Sequence, residues 1–225
     1  MIDLTVLMPC LNDEENIGYC IEQAWEYIKN IGINGEVLIV DNGSTDRSAK
    51  IARECGARVI RELRRGYGRA LRTGLEVAKG TVIIFGDCDS TYDFSNLDQF
   101  YTPLKDGKVD FITGDRFSGL MEDGAMSVSH RIGVPLLSWC GRIKFDVDIY
   151  DWHCGLRGIR RSAYQLLALK TDGMEFATEM IAEAGRKGLR IGEVPVSLRK
   201  SVNERKKKIR TIRDGMRHLR YILKA

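Results

Sequence analysis

The sequence has no apolar run approaching the ~20 residues that span a bilayer, and Met1 leads straight into a strand-like segment without the charged-then-apolar pattern of a signal sequence. Those absences exclude the usual marks of a membrane-spanning or exported chain and make the cytoplasm the expected location. Histidine is scarce, with 3 in 225 residues, and CxxC spacing is absent. The six cysteines (Cys10, Cys20, Cys55, Cys88, Cys140 and Cys154) are scattered, which argues against a zinc site and fits reduced thiols. Aromatic residues are 8% of the chain and are not interleaved with its basic residues, so no nucleic-acid partner is expected.

With 44% hydrophobic and 29% charged residues, the chain has an ordinary globular composition and enough length for one substantial core. Its net charge of +4 hides an asymmetry. From Arg186 onward there are 14 Lys and Arg against 3 acids, and before it 21 against 28, so an acidic body carries a basic tail. Within the tail Ile209, Ile212, Met216, Leu219 and Leu223 recur at helical spacing. Arg210, Arg213, Arg217, Arg220 and Lys224 follow one residue later. The pattern predicts a basic amphipathic helix over 209–225, following a catalytic domain over 1–208. Such a helix either lies on an anionic membrane surface or packs its apolar stripe on the domain.

Short apolar runs at Leu4–Met8, Glu36–Val40, Ala57–Ile60 and Thr81–Phe85 alternate with helical segments beginning near Glu14, Asp46 and Tyr67. That alternation predicts βαβ units and an α/β fold with a mostly parallel, Rossmann-like central sheet flanked by helices. Ligands of such sheets bind outside the carboxyl ends of the strands. Three loops leave those ends: PCLNDEEN (Pro9–Asn16), DNGSTD (Asp41–Asp46) and GDCDSTYD (Gly86–Asp93). In the last, Asp87 and Asp89 alternate at a strand end, a seat for a hard divalent cation that also touches substrate phosphates. In the second, Asp46 is placed to cap a helix and Asn42–Gly43 to form the turn, whereas Asp41 can accept hydrogen bonds from a base or ribose.

The series MPCLNDEENI, IVDNGSTD, GYGRAL (Gly66–Leu71) and GDCDSTYD resembles the inverting nucleotide-sugar glycosyltransferases of family two, which have the GT-A fold. The resemblance continues through TGDRFSG (Thr113–Gly119), HRIG (His130–Gly133), DWHCGLRGIRR (Asp151–Arg161), GMEFATEMI (Gly173–Ile181) and EVPVSLR (Glu193–Arg199). Within that family the chain looks most like the branch of dolichyl-phosphate mannose synthase and related polyprenyl-phosphate glycosyltransferases. The resemblance implies that Pro9, Leu11 and Asp13 cradle the nucleotide and that Asp41 contacts its base. It implies that Asp87 and Asp89 bind Mg²⁺ or Mn²⁺ and the diphosphate, with Thr91 nearby, and that Arg116 serves the phosphate or acceptor region. Asp151, His153 and Arg157 are implied near the acceptor, and so is Glu179, with Glu175 close by.

The implied donor is a UDP- or GDP-linked sugar, and the implied acceptor a polyprenyl phosphate at the cytoplasmic membrane face. That acceptor is already an anion and needs no general base, whereas a saccharide hydroxyl, the alternative acceptor, needs one. Many members of the branch continue into transmembrane helices after a segment like Arg210–Leu223, so this sequence is either a piece of a longer chain or a catalytic subunit that a peripheral contact or a membrane-protein partner would bring to the lipid. DCDST (Asp87–Thr91) also satisfies the DxDxT pattern of haloacid-dehalogenase-like phosphatases, but three strands precede it where that motif belongs at the first strand. GYGRAL lacks the third glycine of a dinucleotide fingerprint and does not open the first βα unit. A non-catalytic sugar-nucleotide-binding module is the remaining alternative, and the intact Asp41, Asp87 and Asp89 argue against it.

Overall fold

A computed structural model describes residues 1–200 and 211–225; Ile209, Arg210 and the side chain of Ile212 lie outside the described residues. Seven strands form one sheet: β1 (Leu4–Cys10), β2 (Gly35–Asp41), β3 (Arg58–Arg61), β4 (Val82–Phe85), β5 (Phe111–Asp115), β6 (Arg157–Arg160) and β7 (Ile191–Pro195). Their order is β3-β2-β1-β4-β6-β5-β7. Strand β6 pairs antiparallel with both β4 and β5, and the other pairings are parallel. The sheet is therefore mixed but mostly parallel, as the alternation of strands and helices predicts.

Strands β1, β2 and β4 are built around continuous apolar runs because both faces of the sheet are covered there, whereas edge strand β3 is only partly buried. Leu4, Val6 and Met8 of β1 face one core with α1 (Ile17–Asn30), α2 (Ser48–Glu54) and α4 (Asp98–Lys105). Leu7, together with Leu38 and Val40 of β2, faces the other, with α3 (Tyr67–Val77) and α7 (Phe176–Arg186). Short α6 (Arg161–Tyr164) follows β6 directly, and α5 (Val128–Phe145) and α8 (Thr211–Lys224) complete the helices.

Two helices start later than the sequence pattern suggests, for one reason. Glu14 N–H, at the expected start of α1, donates to Asp46 Oδ2 at 3.2 Å, and Asp13 N–H donates to Ser48 Oγ at 2.8 Å. Asp46 Oδ1 in turn accepts from Ser48 N–H at 2.9 Å. These groups are spent on tying two loops together, so α1 begins at Ile17 and α2 at Ser48.

A larger correction concerns the tail. Helix α8 forms within the expected 209–225 segment and packs on α5 and α7. Among its described side chains the buried ones are His218 and Ile222, whereas Met216 and Leu223 of the expected stripe are exposed. The face turned to the domain is thus rotated from the one the apolar spacing alone selects, because His218 Nδ1 bonds Thr178 Oγ1 of α7 at 2.7 Å.

Candidate functional site

Strand β1 lies between β2 and β4, so the chain winds outward to β3 and then returns to the other side of β1. That reversal is a topological switch point, and it opens a crevice at the carboxyl ends of β1 and β4. The loops beginning at Pro9 and Gly86 line it, and the Asp41 loop adjoins them. Asn42 N–H donates to Cys10 O at 2.8 Å, Asn12 N–H to Ser44 Oγ at 3.0 Å, and Thr45 N–H to Asn12 Oδ1 at 2.7 Å. Asn12 and Ser90, one in each of the loops flanking the crevice, adopt φ of 54° and 65°. Backbone held in this region by surrounding bonds is a feature of ligand sites.

Asp87 and Asp89 stand together at the end of β4. Burial pushes the Asp87 carboxyl up to about 7 and neighbouring Asp89 adds to the shift, while a hydrogen bond from Tyr67 and the charge of Arg116 oppose it. Asp89 is oriented by Thr91, whose N–H and Oγ1 reach its Oδ1 at 3.1 and 2.6 Å. Gly155 closes the site from behind. A Cβ there would stand 2.6 Å from Asp87 Oδ2, so a side chain would push the carboxylate out of place. Tyr92 fixes that backbone by accepting from Gly155 N–H at 3.0 Å.

Asp41 is buried at the end of β2, where Oδ1 accepts from Ser44 N–H at 2.9 Å and Oδ2 lies 4.0 Å from Arg61 Nε. Gly43, at φ 88°, makes the turn that lets Ser44 reach back. Asn42 does more than turn the chain: its amide donates to Glu62 O and Arg64 O and accepts from Gly66 N–H, which pins the segment leading into α3. Asp13 is buried with Cys10 and Cys88, and the ligand atoms of the three lie within 4.8 Å of one another. Cys88 donates to Pro9 O at 3.3 Å and links the two loops beside the crevice.

Arg116, just past β5, meets Asp151 in a two-pronged pair, Nε to Oδ2 at 2.7 Å and Nη2 to Oδ1 at 2.8 Å. Burial works against this guanidinium, but Asp151 holds its affinity for the proton well above the usual arginine range. Asp151 is itself held by Glu193, which accepts from its N–H at 2.7 Å. The pair keeps a permanent positive charge within electrostatic reach of Asp87. Asp151 is therefore the residue that positions Arg116.

Two residues expected on the acceptor side are engaged by the fold itself. Glu179, expected on the acceptor side, is buried on α7 with both oxygens engaged. Oε1 accepts from Lys170 N–H at 2.9 Å, and Oε2 from Thr171 N–H and Oγ1 at 2.9 and 2.6 Å. Arg157, also expected there, is fully buried, and its guanidinium donates to the carbonyls of Trp152, Cys154 and Ala177. Both brace the protein's own backbone. His153 packs edge-on against His218 with ring centroids 4.4 Å apart, and neither of its ring nitrogens has a hydrogen-bond partner among the described residues. Burial pushes its imidazole well below the usual range, with His218, Arg116, Arg157 and His130 adding to the shift. His153 and His218 thus meet at this side of the site. Glu175 pairs instead with Arg217 of α8 at 3.2 Å.

The model of the glycosyl transferase family 2 matches residues 5–167, most of the chain. The chain belongs to glycosyl transferase family 2. A low-salt glycan biosynthesis hexosyltransferase, Agl6, of Haloferax volcanii is 38% identical to this family 2 chain over 98% of its residues. The chain spans 53% of that relative's length. A dolichyl-phosphate hexose transferase of the same organism is 30% identical, over 91% of this chain and 86% of its own. Among solved structures, glucosyl-3-phosphoglycerate synthase of Mycobacterium tuberculosis with Mn²⁺, UDP-glucose and phosphoglyceric acid superposes with a TM-score of 0.77. It is 20% identical, with 98% of this chain and 79% of that chain covered, and the likeness establishes the GT-A fold. Among the described residues no helix is long and apolar enough to cross a membrane.

Proposed function

We propose that this family 2 chain transfers a hexose or N-acetylhexosamine from a UDP- or GDP-linked sugar to a polyprenyl phosphate, inverting the anomeric configuration. The observation that carries the reading is the crevice at the switch point, where Asp13, Asp41, Asp87 and Asp89 converge on three interlocked loops. Asp41 accepts from the base or ribose, and the Pro9–Asp13 loop cradles the nucleotide. Arg116 offers a fixed positive charge to phosphate. Asp87 and Asp89 suit a divalent cation, because their mutual repulsion and the raised Asp87 carboxyl mark a carboxylate pair whose negative charge Arg116 offsets only in part. Mg²⁺ or Mn²⁺ bound there would neutralise charge on the departing diphosphate.

The carboxylates support this acceptor. Asp151 is tied to Arg116 and Glu179 to residues 170 and 171, which favours an acceptor that arrives already ionised and needs no base. Attack by a phosphate oxygen on the anomeric carbon forms the new C–O bond as the bond to the leaving diphosphate breaks. The 30% identical dolichyl-phosphate hexose transferase supports this acceptor. It also agrees with the resemblance to the dolichyl-phosphate mannose synthase branch. The enzyme is proposed to work in the cytoplasm, peripherally at the membrane's cytoplasmic face or with a membrane-protein partner. A second reading, transfer to a saccharide hydroxyl, draws on the hexosyltransferase of glycan biosynthesis among the relatives.

A nucleotide-release assay with Mn²⁺ and a panel of UDP- and GDP-sugars tests the proposal. Release that requires both one donor and a short polyprenyl phosphate is the expected result. Release stimulated by a saccharide and indifferent to the lipid would overturn the lipid acceptor in favour of the second reading.

A further inference from the structure

Helix α5 presents a feature the transfer reaction does not use. Val128, Ile132, Leu136, Trp139 and Ile143 recur every three or four residues and are all between 57% and 73% exposed. The fifteen helical rises from Val128 to Ile143 make this stripe about 22 Å long on one outward face. The opposite face anchors the helix: Val134, Ser138 and Gly141 are buried, and Ser138 Oγ accepts from Trp152 N–H at 3.2 Å. Large apolar residues are commonly exposed singly, but a continuous helical stripe of five marks a contact surface.

We propose that this face of α5 lies in an anionic lipid bilayer surface, parallel to the membrane, and docks the enzyme there. The proposal rests on the lipid-acceptor reading of the site and names the surface that meets the lipid. Charge complementarity selects the occupant. From Val128 to Phe145 there is no Asp or Glu, and of the exposed Asp146 and Asp148 that follow, Asp148 is paired with Arg142, while Arg131 and Lys144 are exposed near the two ends of the stripe. Packed alongside, α8 adds exposed Arg213, Arg220 and Lys224 and the exposed apolar residues Met216 and Leu223. A second copy docked symmetrically would face this basic rim with another basic rim, whereas anionic headgroups satisfy it. Trp139 has the amphipathic ring favoured at headgroup level. Orientation agrees as well. Helix α5 enters from the loop after Asp115 and Arg116, and His130 in its first turn interacts electrostatically with His153, so the stripe starts beside the acceptor side of the site.

Vesicle flotation of the full chain tests the proposal. Vesicles of phosphatidylcholine mixed with phosphatidylglycerol should carry the protein, those of phosphatidylcholine alone should carry less, and high salt should release it. The triple variant Ile132→Ser, Leu136→Ser, Trp139→Ser should bind at least about tenfold less. The double variant Arg131→Glu, Lys144→Glu, which spares the apolar stripe, should lose the preference for the anionic vesicles. Flotation of both variants equal to wild type overturns the proposal. So does a concentration-dependent dimer, without flotation, that the triple variant abolishes. Flotation requires no turnover, so a failure of sugar transfer to lipid would leave this result standing.

Discussion

The proposed donor side and the proposed acceptor side of this molecule are built by different rules. On the donor side, each functional loop directly follows a buried parallel strand, and backbone hydrogen bonds clip neighbouring loops together. Its acids stand at the strand ends: Asp41 closes β2 and Asp87 lies two residues past β4. On the acceptor side, charged residues of the same conspicuous kind are consumed in holding the fold. Arg157 gathers three carbonyls, Glu179 closes a loop, and Asp151 serves Arg116. A charged residue near a site is thus a candidate for chemistry only after its own backbone obligations are known.

Arg116 stands where the two sides meet, and removing it should produce the largest effect. Arg116→Ala strands fully buried Asp151 without its counter-charge. We expect a loss of about 3–5 kcal/mol of stability, read by urea unfolding. A midpoint within error of wild type would mean that the pair is not structural. Asp89→Asn should instead leave unfolding nearly unchanged while reducing turnover about 10²–10³-fold, measured by nucleotide release. Activity near wild type would remove Asp89 from the donor machinery and break the comparison from the other direction.

Glu179→Ala should behave oppositely to Asp89→Asn. It frees three donors at residues 170 and 171 and should destabilise the fold by about 2–3 kcal/mol. Turnover of the folded fraction should stay within about threefold of wild type, since a bracing residue does not touch the reacting atoms. A severe loss of turnover with stability intact would return Glu179 to the acceptor machinery that its sequence context suggests.

The smallest effect expected is a pH dependence on the acceptor side. Burial brings the His218 imidazole down from 6.5 to about 4, with Arg157 and Arg217 adding to the shift; His153 and Thr178 complete its surroundings. Since the folded value lies below the unfolded one, the unfolded chain binds more protons between these two values. Stability from this group is therefore complete above about pH 6.5 and declines as pH falls toward 4. Between pH 7 and 5 the decline should be about 2 kcal/mol. His218→Gln should flatten that part of the profile, and an unchanged slope in the variant would contradict the assignment.

The same division explains what was legible in the sequence. The parallel half-sheet, the three loops and Asp87 and Asp89 could be read locally, because an apolar run followed at once by polar residues places those residues at a strand end. Tyr67, Gly155 and Glu193 could not, since Tyr67 and Gly155 reach Asp87 from distant parts of the chain and Glu193 reaches Asp151 across the sheet. The glycine of GYGRAL and DWHCGLRG marks only that something must come close; the carboxylate behind Gly155 appears when β6 lies beside β4. The rotation of α8 was hidden for a related reason. Apolar spacing selected Met216 and Leu223, but the buried bond between His218 and Thr178 fixes the face that packs. The α5 stripe was present in the sequence all along, and its outward orientation emerged only from the burial of Val134, Ser138 and Gly141 on the other side.

The central claim is that the Asp87 and Asp89 crevice holds a divalent cation together with the nucleotide. Titration calorimetry of UDP and GDP, each with and without Mn²⁺, measures this directly on the wild-type chain and on Asp89→Asn. The account predicts that Mn²⁺ strengthens binding of one nucleotide at least about tenfold in the wild type and has no such effect in the variant. Equal strengthening in both proteins, or none in either, would contradict it.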